Sequence, residues 1–192
     1  MTDIILASAS PRRAELLDQI GVRYLVKVAD VDERSLSNET AETLVQRLAI
    51  EKSKAIVSKR LPVLGSDTLG LLNGRILVKP DDYEHAHEML SQMSSNWHEI
   101  LSAVAITHQG KTKLKLSKSR VLFRTLSKDE IKDYWDTGEP KDKAGAYAIQ
   151  GLGASFIERI EGSYSGIMGL PLFETSQLLT ELGINILGCA KK

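Results

Sequence analysis

Apolar positions along the chain fall into two rhythms. Short solid runs, such as Ile4–Ala7, read as buried strands; runs with an apolar residue every three or four positions read as helices with one buried stripe. The first helix is expected from Pro11 to Ile20, with Ser10 as N-cap, Leu16, Leu17 and Ile20 as stripe and Gly21 as stop. A second is expected from about Ala41 to Arg60, capped by Thr40 and ended by Pro62, burying Leu44, Val45, Leu48, Ala49, Ala55 and Ile56. Val63–Leu64 enters a strand, and Leu69–Leu72 and Arg75–Val78 flank Asn73-Gly74, a strong hairpin signal. A third helix, about Asp82–Met93, carries Ala86, Met89, Leu90 and Met93 on one face. Residues 99–107 and 112–124 read as long strands joined by Gln109-Gly110. Ser127 and Glu130 form a capping box for a helix through Trp135, stopped by Gly138. Ala146–Ile149 and Phe156–Ile160 read as strands, and Pro171 starts a last helix that Gly183 stops. This alternation predicts an α/β or α+β fold. With no repeat or linker, one compact domain over residues 1–192 is the expectation.

Charge narrows the function. Lys and Arg number 25 against 25 Asp and Glu, and the halves differ little: residues 1–96 hold 12 basic and 14 acidic side chains, residues 97–192 hold 13 and 11. A protein that grips a nucleic-acid polymer would carry a clear basic excess, so that partner is excluded, as is a charge-rich disordered chain. The one cysteine, Cys189, allows neither an intrachain disulfide nor a cysteine metal cluster. No basic start with a long apolar stretch marks a secretory signal, and the longest window without charge, Ala144–Ile157, is too short to span a bilayer. A cytoplasmic protein without a membrane partner is expected.

Five places carry candidate chemistry. S-A-S-P-R-R, Ser8–Arg13, lies where a strand gives way to a helix, and free N–H groups of a helix's first turn attract phosphate. Arg12 and Arg13 oppose the helix dipole there, so they read either as anion ligands or as an exposed basic turn. Lys52 sits on the apolar face of its helix, either snorkelling to water or serving a site. In G-S-D-T, Gly65–Thr68, Asp67 follows a buried strand, which suggests the end of a sheet and a metal ligand or base, or only a turn. Glu33, in the acidic Asp30–Glu33 segment, offers a second oxygen ligand or a solvated loop. Lys79-Pro80 is weak alone. In Gly138–Gly153 four glycines and two lysines suggest a backbone that approaches something closely, and Gly151-Leu152-Gly153 is no dinucleotide fingerprint. There is no phosphate-binding P-loop motif, no G-x-S-x-G elbow, and no zinc pattern among His85, His87, His98 and His108.

Together these pieces resemble one family. L-A-S-A-S-P-R-R at 6–13, R-L-A-x-E-K at 47–52, L-G-S-D-T at 64–68, Lys79-Pro80, D-K-A-G-A-Y-A-I-Q-G at 142–151 and G-L-P-L at 169–172 are similar, in order and spacing, to the Maf-type nucleoside triphosphate pyrophosphatases. A-Y-x-I-Q-G looks like the subgroup acting on dTTP and UTP. Departures fall at Ser94–His98, at Ser102, where threonine is common, and at Gly70, where a β-branched residue is frequent. The resemblance implies an elongated, ITPase-like mixed β-sheet flanked by helices, with two lobes and a central cleft. It implies hydrolysis between the α and β phosphates with a divalent cation, magnesium or manganese, and roles in removing modified nucleotides or in cell-division control.

By the same resemblance Asp67 is the catalytic carboxylate, and Arg12, Thr68 and Gln150 govern substrate choice. Glu33, Lys52 and Lys79 match other polar cleft positions. The expected mechanism is metal-assisted attack of water on the α-phosphorus. Asp67 binds the metal, positions the water or accepts its proton, with Glu33 as second acid. Ser8, Arg12, Arg13, Lys52, Lys79 and Lys143 neutralise the triphosphate, while Gln150 reads a pyrimidine edge. The expected partner is the nucleotide, with a homodimer left open. The alternatives are the same chemistry on CTP or modified nucleotides, and a non-catalytic nucleotide sensor acting on division proteins.

Overall fold

A computed structural model describes residues 2–186, so Cys189 lies outside the described residues. In chain order the elements are β1 Ile4–Leu6, α1 Pro11–Gln19, β2 Tyr24–Val26, α2 Ala41–Ala55, β3 Val63–Leu72, β4 Arg75–Leu77 and α3 Tyr83–Met93. There follow β5 Trp97–His108, β6 Lys111–Phe123, α4 Lys128–Asp136, three 3-10 turns between Glu139 and Phe156, β7 Ile157–Glu161, α5 Tyr164–Met168 and α6 Leu172–Thr180. The strands form one mixed sheet in the order β2-β1-β3-β5-β6-β7, with β4 paired to β3. β1 lies parallel to both β2 and β3, whereas β3–β4 and β6–β7 are antiparallel.

The chain divides into two compact units. The first comprises the residues up to Thr68, Ser102–Ser117 and the chain from Gly169; the second comprises Leu69–Leu101 and Lys118–Met168. β3, β5 and β6 each contribute residues to both.

In the first unit the sheet is covered by the stripes that the pattern shows. Leu16 and Leu17 of α1, and Leu44, Val45, Leu48 and Ala49 of α2, are buried, whereas the expected Ala55 is exposed and Ile20 and Ile56 are only partly buried, because the helices have ended or are ending there. Thr40 caps α2 by accepting the Thr43 N–H at 3.1 Å. The helix ends at Ala55, short of the expected Arg60. Ile56 is already extended at φ −102°, Val57 is 87% exposed, and the Ser58 hydroxyl accepts the Leu61 N–H at 3.1 Å, which turns the chain. Beyond Ile56 there is no apolar stripe to hold helical geometry, and side-chain turns compete well there.

In the second unit a core forms around Leu90, Met93, Val121, Phe123, Ile131, Tyr147 and Phe156. The β3–β4 connection has φ of 51° at Asn73 and 76° at Gly74, the paired left-handed geometry that matches strand twist. The expected capping box is present: the Ser127 hydroxyl accepts the Glu130 N–H, and the Glu130 carboxylate accepts the Ser127 N–H at 2.9 Å. Ala146–Ile149 is not a strand. Gly145 and Ala146 are successive left-handed residues at φ 79° and 56°, and the Ala148 N–H goes to the Tyr134 hydroxyl at 3.2 Å instead of to a ladder.

His98 lies in this core at 1% exposure, with Nε2 2.8 Å from the Tyr147 hydroxyl and its ring edge-on to Phe123 and Tyr147. Nδ1 is buried with no partner. Burial pushes the imidazole down to about 4 from 6.5. The folded chain therefore keeps His98 neutral where the unfolded chain takes up a proton. Its contribution to stability is intact above pH 6.5 and is lost as pH falls toward 4, amounting to about 3 kcal/mol. His98→Gln is expected to show a shallower fall of Tm than wild type between pH 6.5 and 4.5; equal slopes would show that His98 titrates alike in both states.

Candidate functional site

Lys52 organises the first unit's polar cluster. It lies on the buried face of α2 at 7% exposure, and its partner strand is unusually close. A Cβ on Gly65 would overlap the Ala49 carbonyl and lie 2.5 Å from the Ser53 nitrogen and 3.0 Å from the Lys52 carbonyl carbon, so only glycine lets α2 rest on β3 here. At that separation Lys52 Nζ donates to Asp67 Oδ1 at 2.7 Å and pairs with Glu33 Oε1 at 2.6 Å. Lys52 therefore does not snorkel; its ammonium ends on two carboxylates, of which Asp67 is buried and Glu33 is paired but still largely exposed.

Asp67 does not follow the end of a strand. G-S-D-T runs inside β3, which continues to Leu72. Alternation along the strand sends neighbouring side chains to opposite faces. The Ser66 hydroxyl, fully buried, shares its one proton between the carbonyls of Ala103 at 2.8 Å and Gly169 at 3.1 Å, while Asp67 meets Lys52. Asp67 is 6% exposed and its Oδ2 has no hydrogen-bond partner. Burial pushes its carboxyl above the ordinary range, against the pull of Lys52 and of Arg13. A buried carboxylate oxygen with unused lone pairs is costly unless something binds it.

The turn into α1 supplies the cationic side. Arg13 Nε donates to Gly169 O at 2.9 Å and its Nη1 to Ser8 Oγ at 2.9 Å; Ser8 Oγ also accepts the Ser10 N–H at 3.1 Å. Arg13 is thus fixed rather than exposed, and burial lowers its pKa while Asp67 raises it. A guanidinium has five N–H donors, so most remain for an anion. Ser10 caps α1 without a side-chain bond, and its first turn carries no acid. Arg12 is half-buried and bonds to no other described residue. Thr68 Oγ1 lies 2.7 Å from Ser102 Oγ, so the shorter residue at 102 serves as its hydroxyl partner.

Three expected residues belong to the second unit. Lys79 and Gln150 are exposed, and Lys143 pairs with Asp142. The Gly145 N–H donates to Val78 O at 2.9 Å, tying the segments that carry Lys79 and Lys143. The close approach suggested by Gly151 and Gly153 has an answer in Glu139. Its carboxylate would overlap a Cβ at 151, and the Tyr134 hydroxyl lies 2.7 Å from one at 153.

Ser66 and Glu139 stood in the sequence only inside the G-S-D-T and Gly138–Gly153 stretches and Tyr134 carried no signal, because each acts on a backbone group far along the chain. Gly169 stood only within a matching motif, although φ of 127° and its doubly used carbonyl explain why glycine is there.

Among the described residues no three His, Cys, Asp or Glu side chains converge to hold a metal. Asp67 and Glu33 together still fit a hard divalent cation, which takes one or two carboxylates and completes its shell with water and phosphate. The unpartnered Oδ2 is the atom that shows this fit. No helix among the described residues is long and apolar enough to cross a membrane.

The family model described as Maf-like protein matches residues 3–182. The chain is 50% identical over 192 residues to a dTTP/UTP pyrophosphatase of Methylobacillus flagellatus, covering 98% of this chain and 96% of that one. It is 49% identical over 188 residues to a dTTP/UTP pyrophosphatase of Hahella chejuensis, covering 95% and 94%. A HAM1 protein structure from Coxiella burnetii matches with a TM-score of 0.50 at 15% identity, covering 94% of this chain and all of that one; this likeness concerns the fold alone.

Proposed function

This chain belongs to the Maf-like protein family, and from that membership and its buried carboxylate we propose that it hydrolyses dTTP and UTP to the monophosphate and pyrophosphate. The observation that carries the reading is Asp67: a carboxylate held by Lys52, pushed up by burial and left with one unused buried oxygen.

The chemistry follows from what each group can do. The free N–H groups opening α1, with Arg12, Arg13 and Ser8, present donors to the phosphates. Arg13 is held in place at both Gly169 O and Ser8 Oγ, so little freedom is lost when an anion arrives. Asp67 Oδ2 holds the attacking water and takes its proton as the oxygen closes on the α-phosphorus. The bond from that phosphorus to the bridging oxygen breaks, and pyrophosphate leaves with the bonding pair. Lys52 keeps Asp67 and Glu33 oriented and offsets their mutual repulsion. A magnesium or manganese ion, held by Asp67 and Glu33, would supply charge neutralisation and polarise the phosphate. Lys79 and Lys143 are proposed phosphate ligands, and Thr68 and Gln150 proposed base-reading groups, Gln150 because its amide both donates and accepts.

A panel of nucleoside triphosphates, assayed separately for pyrophosphate and phosphate with magnesium and with manganese, tests this. Pyrophosphate from dTTP and UTP well above CTP and purine nucleotides is the expected outcome. Binding without turnover would instead favour a nucleotide sensor. Gln150→Ala is expected to narrow the preference for dTTP and UTP by about tenfold with an unchanged Tm; equal loss on every nucleotide would remove Gln150 from base reading.

A further inference from the structure

Gln150 projects from a turn that is tied down on both sides, and most of the ties end on one carboxylate. Gln150 is exposed, so its backbone sets where the side chain starts and what it can reach. Glu139 Oε2 accepts the Leu152 N–H at 2.9 Å and Oε1 accepts the Gly153 N–H at 3.0 Å. The Tyr134 hydroxyl donates to the same Oε1 at 2.7 Å and accepts the Ala148 N–H at 3.2 Å. Between these anchors the Gly151 N–H closes back on Ala148 O at 3.2 Å, leaving Ile149 and Gln150 at the corners of a turn. The approach is so close that a side chain at 151 would have to displace the Glu139 carboxylate, and one at 153 would meet both the Tyr134 hydroxyl and Ala148 O.

We propose that Glu139 is the positioning residue for base selectivity, clamping the Ala148–Gly153 turn so that Gln150 is presented from one fixed backbone position. The inference rests on the reading of Gln150 as a base-reading group. Physically, a side-chain amide distinguishes a thymine or uracil edge from a cytosine edge by placing a donor and an acceptor correctly, and a mobile turn would let it satisfy either. Burial works against charge on Glu139, but the two backbone N–H groups and the Tyr134 hydroxyl more than offset it and hold the carboxyl below its usual range. The clamp is therefore anionic at neutral pH and accepts from all three donors at once.

Glu139→Gln preserves size but puts an NH2 where an oxygen now accepts, so one backbone donor loses its partner. Two readouts decide the matter. The first is the ratio of kcat/KM for dTTP over dCTP. It is expected to fall about tenfold in Glu139→Gln, mainly through a raised KM for dTTP, and Tyr134→Phe is expected to act in the same direction. In a Gln150→Ala background, Glu139→Gln is expected to change the ratio no further, because the clamp acts through Gln150. An unchanged ratio, a uniform loss on both nucleotides, or additive effects in the double variant would overturn the proposal.

The second readout is amide hydrogen exchange in the nucleotide-free protein. Exchange at Leu152 and Gly153 is expected to speed up in Glu139→Gln while α3 exchanges as in wild type. Unchanged exchange at 152 and 153 would overturn the clamp whatever the enzyme acts on. Wild type releasing no pyrophosphate from any nucleotide would sink the proposed function instead, so the two failures are distinguishable.

Discussion

Asp67→Asn is expected to lower the rate of pyrophosphate release by roughly a thousandfold, the effect of removing a positioned proton acceptor. The amide keeps the shape of the side chain but has no basic oxygen to offer the water and binds a divalent cation weakly. The fold is expected to survive for a reason visible in the pairing. Lys52 loses Asp67 but keeps Glu33 at 2.6 Å, so its ammonium is not left alone, the situation that makes broken buried pairs costly. Replacing a carboxylate that burial already disfavours by a neutral amide also relieves desolvation. Pyrophosphate release measured beside the thermal midpoint checks both halves. Turnover near wild type would remove Asp67 from the chemistry, and a collapsed midpoint would mean that its main role is to neutralise Lys52.

The largest effect on stability is expected from Gly65→Ala. A glycine-to-alanine change in an ordinary conformation usually stabilises by about 0.4–1 kcal/mol through the unfolded chain. Gly65 has no positive φ, so geometry decides the sign, and the new methyl would meet backbone on every side: Ala49, Lys52 and Ser53 of α2. Backbone cannot rotate away as a side chain can, and α2 would have to lift from β3. A loss of about 3 kcal/mol, or about 10 °C in Tm, is expected. Lifting α2 also draws Lys52 from Asp67, so activity should fall further than stability alone explains. Gly70→Ala is the matched control. There the methyl would meet Leu77 Cδ1 at 3.0 Å, which a leucine rotamer can relieve, and Leu77 Cβ at 3.3 Å, which asks for only a small shift, so a smaller cost is expected. A cost at Gly65 no greater than at Gly70 would show that α2 accommodates the methyl.

What the sequence made legible follows from how local each signal was. Asn73-Gly74, the Ser127–Glu130 box and the Leu44–Ala49 part of the α2 stripe each place cause and effect within a few residues, and each is present. Lys52 stood out as a cation on an apolar face, but its partner Asp67 is fifteen residues away, and Glu33 lies on another segment. The G-S-D-T stretch was misplaced at a strand end because Gly, Ser and Asp are weak strand formers; Gly65 packing and the Ser66 bonds to Ala103 and Gly169 hold the strand there. Ala146–Ile149 misled in the opposite sense: its apolar run is buried, yet its backbone answers to Tyr134. β2 gave no pattern because it has three residues with Leu25 and Val26 about half exposed, and α5 is one short turn and a half.

The bond from Arg13 to Gly169 spans 156 residues of chain. A ribosome makes Arg13 long before it supplies the carbonyl partner at Gly169. Until then Ser66 also lacks one of its two acceptors, while Lys52 and Asp67 can already meet. The carboxylate half of the cluster can therefore form on a nascent chain well before the cationic half is locked. A nascent chain that has not yet reached Gly169 would carry the charged groups without the bonds that fix Arg13.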